Sequence, residues 1–274
     1  MIDKIIIFGK NGMLGNYLNK YFENKGKWEV IGLERTDFEI TVKSIAKLDV
    51  FLRNYNINEH TCIINCNGLI PQRIEDREDT EYYIVNTLFS LQLDNVCKKY
   101  NTKLIYPTTD CVFSGKKGHY VETDEHDEEG IYGISKSLGE KIKGSIIRTS
   151  IIGEERLNKK SFLEFVKNSN GIINGWSNHY WNGITCYQYC KVIEIIIDNN
   201  LFWEGVRHIY SPESKTKYEL ACIIKNVYKV NCIIQKKETD VTINKTLLSI
   251  YDIHDIFQIP TIEKQIEEQF LYGM

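Results

Sequence analysis

The chain has 274 residues, 42% of them hydrophobic and 26% charged, the proportions of a folded globular protein and not of a disordered one. Its 34 basic and 37 acidic residues leave a net charge of −3, so no basic surplus advertises a nucleic-acid partner. With four prolines and no apolar run near the roughly 20 residues of a membrane span, a Pro-rich linker protein and a helical membrane protein are both excluded.

The run Lys4 to Phe8 is too short for a signal-peptide core and reads as a first strand. Further Ile/Val-rich runs follow at Trp28 to Leu33, Cys62 to Cys66, Lys103 to Tyr106 and Ser145 to Arg148. Between them lie amphipathic stretches: Leu14, Leu18 and Phe22 recur four apart, as do Val85, Phe89 and Leu93. Continuous apolar strands alternating with helices predict an α/β fold, a doubly wound parallel sheet with its ligand crevice beyond the carboxyl ends of the strands. Later in the chain a short helix is expected over Ser161 to Val166, a Gly/Asn/Trp-rich loop from Gly171 to Thr185, and helices over Tyr187 to Ile197, Tyr218 to Tyr228 and Thr261 to Phe270. Strands are expected at Val206 to Tyr210 and Cys232 to Gln235. This divides the chain into a nucleotide-binding Rossmann domain over 1–155, with late elements returning from 185–210, and a mainly substrate-binding lobe over 156–274. The eight cysteines form no C-x-x-C and, without a secretory signal, are expected to be reduced in a cytoplasmic protein with no metal site.

The first strand ends in Gly9-Lys10-Asn11-Gly12-Met13-Leu14-Gly15. A glycine triplet between strand and helix permits a tight turn, backbone approach to a pyrophosphate and close helix packing, with the free N–H groups of the helix facing the phosphates. The second strand ends at Leu33, followed by Glu34 and Arg35, where a ribose 2′-position is read. An acidic residue there favours NAD(H); Arg35 favours NADP(H), and NADP(H) is the expectation, with Glu34 turned away. Asn67 and Gly68, after the third strand, are small or polar enough to admit the cofactor.

The fourth strand runs into Thr108-Thr109-Asp110-Cys111-Val112-Phe113, and Tyr132-Gly133-Ile134-Ser135-Lys136 opens a helix. Tyr132 and Lys136 share a helical face. An ammonium beside a phenol pulls its pKa down from about 10 and makes Tyr132 a general acid for a carbonyl oxygen. Lys136 can also bind a ribose, and Thr109 can hydrogen-bond the same carbonyl. The aromatic and polar stretch from Gly175 to Thr185 suits a nucleotide base and a sugar, with His179, Trp181 and Asn182 as substrate candidates.

Four segments, IIIFGKNGMLG, TTDCVFSGKKGHYVETDE, YGISKSLGE and RTSIIG, resemble the extended short-chain dehydrogenase/reductases, and within them the dTDP-4-dehydrorhamnose reductase-like sugar-nucleotide reductases. The resemblance implies Thr109, Tyr132 and Lys136 as the catalytic set, Asp110 near the substrate, and Gly12, Met13 and Leu14 near the cofactor. It implies NADPH or NADH as hydride donor and a dTDP- or UDP-linked 4-keto-6-deoxyhexose as acceptor, in a monomer or homodimer. The chain departs from the family at Cys111, where a tyrosine is usual. A cysteine in this place also occurs in GDP-fucose synthase and plant rhamnose synthases, where the thiol is thought to exchange protons beside the ketone. Cys111 is therefore a candidate epimerase base, with His179 or Lys160 as the second acid, and a bifunctional 3(,5)-epimerase/4-reductase is the alternative. A further alternative is a non-catalytic NADP-binding regulator, as the regulatory subunit of methionine adenosyltransferase is in this fold.

Overall fold

The computed structural model describes residues 1–71, 78–157 and 159–273. Lys4–Phe8 forms β1, whose Ile5, Ile6 and Ile7 are all fully buried. A strand covered on both faces belongs to the middle of a layered sheet, and each such side chain contributes about 1.5–3 kcal/mol by leaving water. The chain then turns into α1 (Met13–Lys25), which Gly26 closes in the left-handed conformation at φ 61°.

The elements continue with β2 (Glu29–Leu33), α2 (Val42–Ile45), α3 (Leu48–Arg53) and β3 (Thr61–Asn65). After α4 (Asp79–Tyr82) comes a π-helical turn over Tyr83–Leu88, then α5 (Phe89–Lys99) and β4 (Lys103–Thr109). A 3₁₀ turn spans Asp110–Val112, followed by α6 (Ile131–Gly139), β5 (Ser145–Thr149) and β6 (Ile151–Ile152). Next are α7 (Phe162–Lys167), β7 (Gly171–Trp176), β8 (His179–Trp181), β9 (Ile184–Thr185), α8 (Cys186–Asp198) and β10 (Gly205–His208). The chain finishes with β11 (Lys215–Thr216), α9 (Lys217–Val227), β12 (Cys232–Lys237), β13 (Ile243–Asn244), α10 (Ile253–Phe257) and α11 (Ile262–Tyr272).

A six-stranded sheet has the order β10-β5-β4-β3-β1-β2. β1 pairs in parallel with both β2 and β3, and β3 with β4. This is the doubly wound α/β fold, and its strand order reverses beside β1. The loops after β1 and β3 therefore diverge at the crevice where such sheets take ligands.

The chain forms two compact units. One comprises Met1–Thr108, Glu129–Ile147 and Ile193–Arg207. Its core joins Ile6, Phe8, Ile63, Phe89, Leu104 and Ile146. The other comprises Thr109–Glu128, Arg148–Val192 and His208–Met274, with Leu163, Trp181, Leu220, Ile224 and Ile262 in its core.

The segment Gly171 to Thr185, expected as a loop, holds three strands. β7 pairs in parallel with β12, β9 with β6, and β8 lies between β11 and β13. Each of β7 and β8 is completed by a partner more than thirty positions away, as the pairings Ile172↔Ile233 and Ile243↔His179 show. Long-range ladder bonds overrode the local loop signal of Gly and Asn.

Candidate active site

The glycine turn is built for close approach. Gly9 stands at φ 79°, and a Cβ there would lie 2.9 Å from Asn67 Oδ1. A Cβ on Gly15 would fall 2.1 Å from the Gly9 carbonyl oxygen, so α1 can seat against the end of β1 only without a side chain at that position. Gly12 is the N-cap of α1 and supplies no side-chain cap, and no acidic residue occupies the first turn. The N–H groups of Met13, Leu14 and Gly15 thus open on the crevice with the positive end of the helix dipole. These features fit a dinucleotide pyrophosphate.

At the end of β2, Glu34 turns towards the glycine turn, not away from it. It accepts a hydrogen bond from Asn11 and lies 3.8 Å from Lys10 Nζ. The ammonium and amide explain the reversal, since one offsets the charge of the carboxylate and the other donates a hydrogen bond to it. Arg35 lies beside it, paired to Glu39 at 3.2 Å. Arg35, Phe38, Ile40, Asn67, Gly68 and Leu69 line a cavity of about 380 Å³. An apolar wall with a guanidinium at its edge suits an adenine with a phosphate nearby.

Tyr132 and Lys136 lie on α6 as expected, Tyr132 half-buried and Lys136 only 5% exposed. Lys136 Nζ is 3.4 Å from Tyr106 Oη and sits over that ring at 5.1 Å. Gly68 makes room for it, because a Cβ there would lie 3.0 Å from Lys136 Nζ. The ammonium therefore reaches the same crevice as the Gly9 turn. Among the described residues its hydrogen-bond partner is a phenol at the long end of the range, which fits a ligand oxygen as a further acceptor. Burial pushes the nearby Cys66 thiol up to about 12, against the pull of Lys136.

Asn86 organises this corner, and sequence reasoning missed it. It lies in the π-helical turn and is fully buried. Its side chain accepts from Leu69 N at 2.9 Å and donates to Leu69 O at 3.1 Å and Ser135 Oγ at 3.0 Å. Its carbonyl accepts from Tyr106 Oη at 3.0 Å. One residue thus fixes the loop after β3, the residue before Lys136, and the phenol beneath it. π turns often mark functional positions, but this one leaves no pattern in the chain.

In the second unit, Thr109 caps the 3₁₀ turn. Its Oγ1 accepts from Cys111 N at 3.1 Å and donates to Asp110 Oδ1 at 3.3 Å. Asp110 is buried at 4% exposure, and burial raises its pKa despite the charges of Lys245 and Lys217. Burial and then Asp110 push the Cys111 thiol up to about 11, so it is protonated near neutral pH. His179 Nε2 pairs with Thr239 Oγ1 at 2.7 Å; burial and then Lys217 hold its pKa down. The Asn182 amide is spent on Leu247, donating to its carbonyl at 2.8 Å and accepting from its N–H at 2.9 Å. Trp181 is buried with Lys217 Nζ 5.5 Å from its ring centre. Lys160 is exposed, its N–H donating to Glu155.

No helix among the described residues is long and apolar enough to cross a membrane. Comparison with known proteins agrees with this architecture. Residues 3–172 match the family described as RmlD substrate binding domain. A dTDP-4-dehydrorhamnose reductase of Aggregatibacter actinomycetemcomitans is 27% identical over 254 residues, 84% of each chain. Methionine adenosyltransferase 2 subunit beta of Bos taurus is 24% identical over 251 residues, covering 83% of this chain and 72% of that one. Among solved structures, dTDP-4-dehydrorhamnose reductase of Bacillus anthracis in complex with NADP superposes over 100% of both chains, with a TM-score of 0.83 and 20% identity. At that identity the likeness speaks for the fold. The chain belongs to the RmlD substrate binding domain family, the dTDP-4-dehydrorhamnose reductase-like extended short-chain dehydrogenase/reductases.

Proposed function

We propose that the protein is an NADPH-dependent reductase of the C4 ketone of a nucleotide-linked 4-keto-6-deoxyhexose, dTDP- or UDP-linked, with a hydroxyl or an acetamido group at C2. The observation that carries this reading is the buried Lys136 ammonium, set beside Gly68 at the nucleotide crevice and four residues from Tyr132 on one helix. The first unit holds the cofactor: the Gly9–Gly15 turn takes the pyrophosphate, Lys136 a ribose, and Arg35 the 2′-phosphate. The second unit contributes the sugar-binding residues.

A bound nicotinamide supplies the hydride. Tyr132 gives its proton to the ketone oxygen as that oxygen gains charge, and Lys136 stabilises the phenolate left behind. Thr109 orients the same oxygen. Its lone pair already accepts from Cys111 N, and its proton, held by Asp110 at a long 3.3 Å, is free to turn to the substrate. One C–H and one O–H bond form, and the ketone becomes an alcohol.

Cys111 stays a thiol in this reading, so carbons beside the ketone keep their hydrogens. The test is NADPH consumption against dTDP- and UDP-4-keto-6-deoxyhexoses in deuterated water, with NMR of the product. Turnover without carbon-bound deuterium is expected. Deuterium at C3 or C5 would instead support the epimerase/reductase reading. Tight NADPH binding with no turnover on any ketosugar would favour the regulatory reading that the likeness to the methionine adenosyltransferase subunit raises.

A further inference from the structure

Among the described residues, Lys217 has no hydrogen-bond acceptor for its ammonium. It is the first residue of α9, half-buried, with Nζ 4.9 Å from the centre of the Phe162 ring and 5.5 Å from that of Trp181. No carboxylate among the described residues comes within 4 Å of it. The Trp181 indole N–H is a second orphan: it is buried at 3% exposure and has no hydrogen-bond partner among the described residues. Buried donors without partners cost free energy unless a ligand or water satisfies them.

The backbone explains how these groups meet. In the sheet β11-β8-β13, Lys215 pairs with Trp181 and Ile243 with His179. Lys217 therefore leaves one edge of the sheet and Lys245 the other, on either side of Trp181. Asn244 N donates to Gly115 O at 2.8 Å, which ties the second edge to the turn that follows Asp110-Cys111. Lys245 pairs with Glu128 at 3.2 Å. Asp110 and Cys111 both feel the Lys217 charge, yet neither forms an ion pair with it. Among the described residues no ion pair closes between Lys217 and Asp110, so the sheet β11-β8-β13 and the turn tied to its edge leave the Lys217 ammonium and the Asp110 carboxylate each open to a ligand.

Two lysines and two carboxylates make this cluster neutral, so a diphosphate gains no net attraction here and would meet the Asp110 carboxylate. A hydroxyl suits it better, because a hydroxyl accepts and donates at once. We propose that Lys217 and Asp110 clamp one ring hydroxyl of the hexose, the ammonium donating to its oxygen and the carboxylate accepting its proton. Lys217 is then a specificity-determining residue for the sugar. The proposal rests on the nucleotide-sugar reading above and identifies the part of the ligand that this unit reads.

Calorimetric titration of the full-length protein with dTDP, dTDP-glucose and its 2-deoxy and 3-deoxy analogues, and with the matching UDP series, tests it in whichever series the wild type binds, with Lys217→Met and Lys217→Arg beside the wild type; what is expected for dTDP holds equally for UDP. A hydrogen bond to a charged group is worth about 10- to 100-fold in affinity. Wild type should bind one deoxy analogue about 10-fold or more weakly than dTDP-glucose. Lys217→Met should lose that same factor on dTDP-glucose, lose nothing further on that analogue, and bind dTDP as wild type does. Lys217→Arg should recover part of the loss, which separates a lost donor from a damaged fold. Equal loss on dTDP alone would make Lys217 a phosphate contact and overturn the clamp, as would a Lys217→Met protein that binds every ligand normally. A wild type that binds dTDP-glucose but tolerates both deoxygenations overturns the clamp alone. A wild type that binds none of the nucleotides overturns the nucleotide-sugar reading along with it.

Discussion

Tyr132→Phe should lower turnover of the ketosugar by about 10²- to 10⁴-fold while leaving NADPH affinity nearly unchanged. The substitution removes one proton donor and no volume from α6. Lys136→Met should behave differently, because the ammonium has two tasks in the proposed mechanism. It should lose turnover and also weaken NADPH, since the buried Nζ beside Gly68 is the donor assigned to the ribose. Single-turnover kinetics with separate NADPH titrations distinguish the two variants. A Tyr132→Phe enzyme of near-normal rate would remove the general acid from the mechanism.

The second large effect belongs to Gly15→Ala. Helix propensity alone favours alanine over glycine by about 1 kcal/mol. Here the added methyl would lie 2.1 Å from Gly9 O and 2.8 Å from Gly9 C, both backbone atoms that cannot rotate aside. Sterics must win: α1 has to move off the end of β1, at a cost of about 3 kcal/mol or more, within the range of severe overpacking. The same movement pulls the helix N-terminus from the place proposed for the cofactor pyrophosphate. Urea unfolding should show a lower midpoint at unchanged slope, and NADPH affinity should fall with it. A Gly15→Ala protein that gains stability and binds NADPH normally would show that α1 does not seat as described.

The placement of the glycine turn and of Tyr132 and Lys136 was legible in the chain for a common reason: it is set locally. Glycines three apart after a strand and a Tyr-x-x-x-Lys on a helix place their groups through backbone geometry alone. Asn86 had no such signature, because its partners Leu69, Ser135 and Tyr106 are brought to it by three different elements. Lys217 and Lys245 were equally hidden. They flank Trp181 only after β8 has paired with β11 and β13, and nothing near either lysine in sequence announces that pairing. The same distance effect turned the expected Gly171–Thr185 loop into strands. Asn182 shows the converse: its residue type suggested sugar binding, but its buried amide is consumed by the backbone of Leu247.

The fate of the hydride tests the proposed ketone reduction directly. NADPH carrying deuterium at the transferable C4 position should be incubated in ordinary water with the dTDP- and the UDP-linked 4-keto-6-deoxyhexoses, and the products read by NMR. One deuterium at hexose C4, lost when Tyr132→Phe replaces the wild type, is the expected result. A product with hydrogen at C4, or a cofactor that keeps its label while binding tightly, would contradict the claim that this chain reduces a sugar ketone.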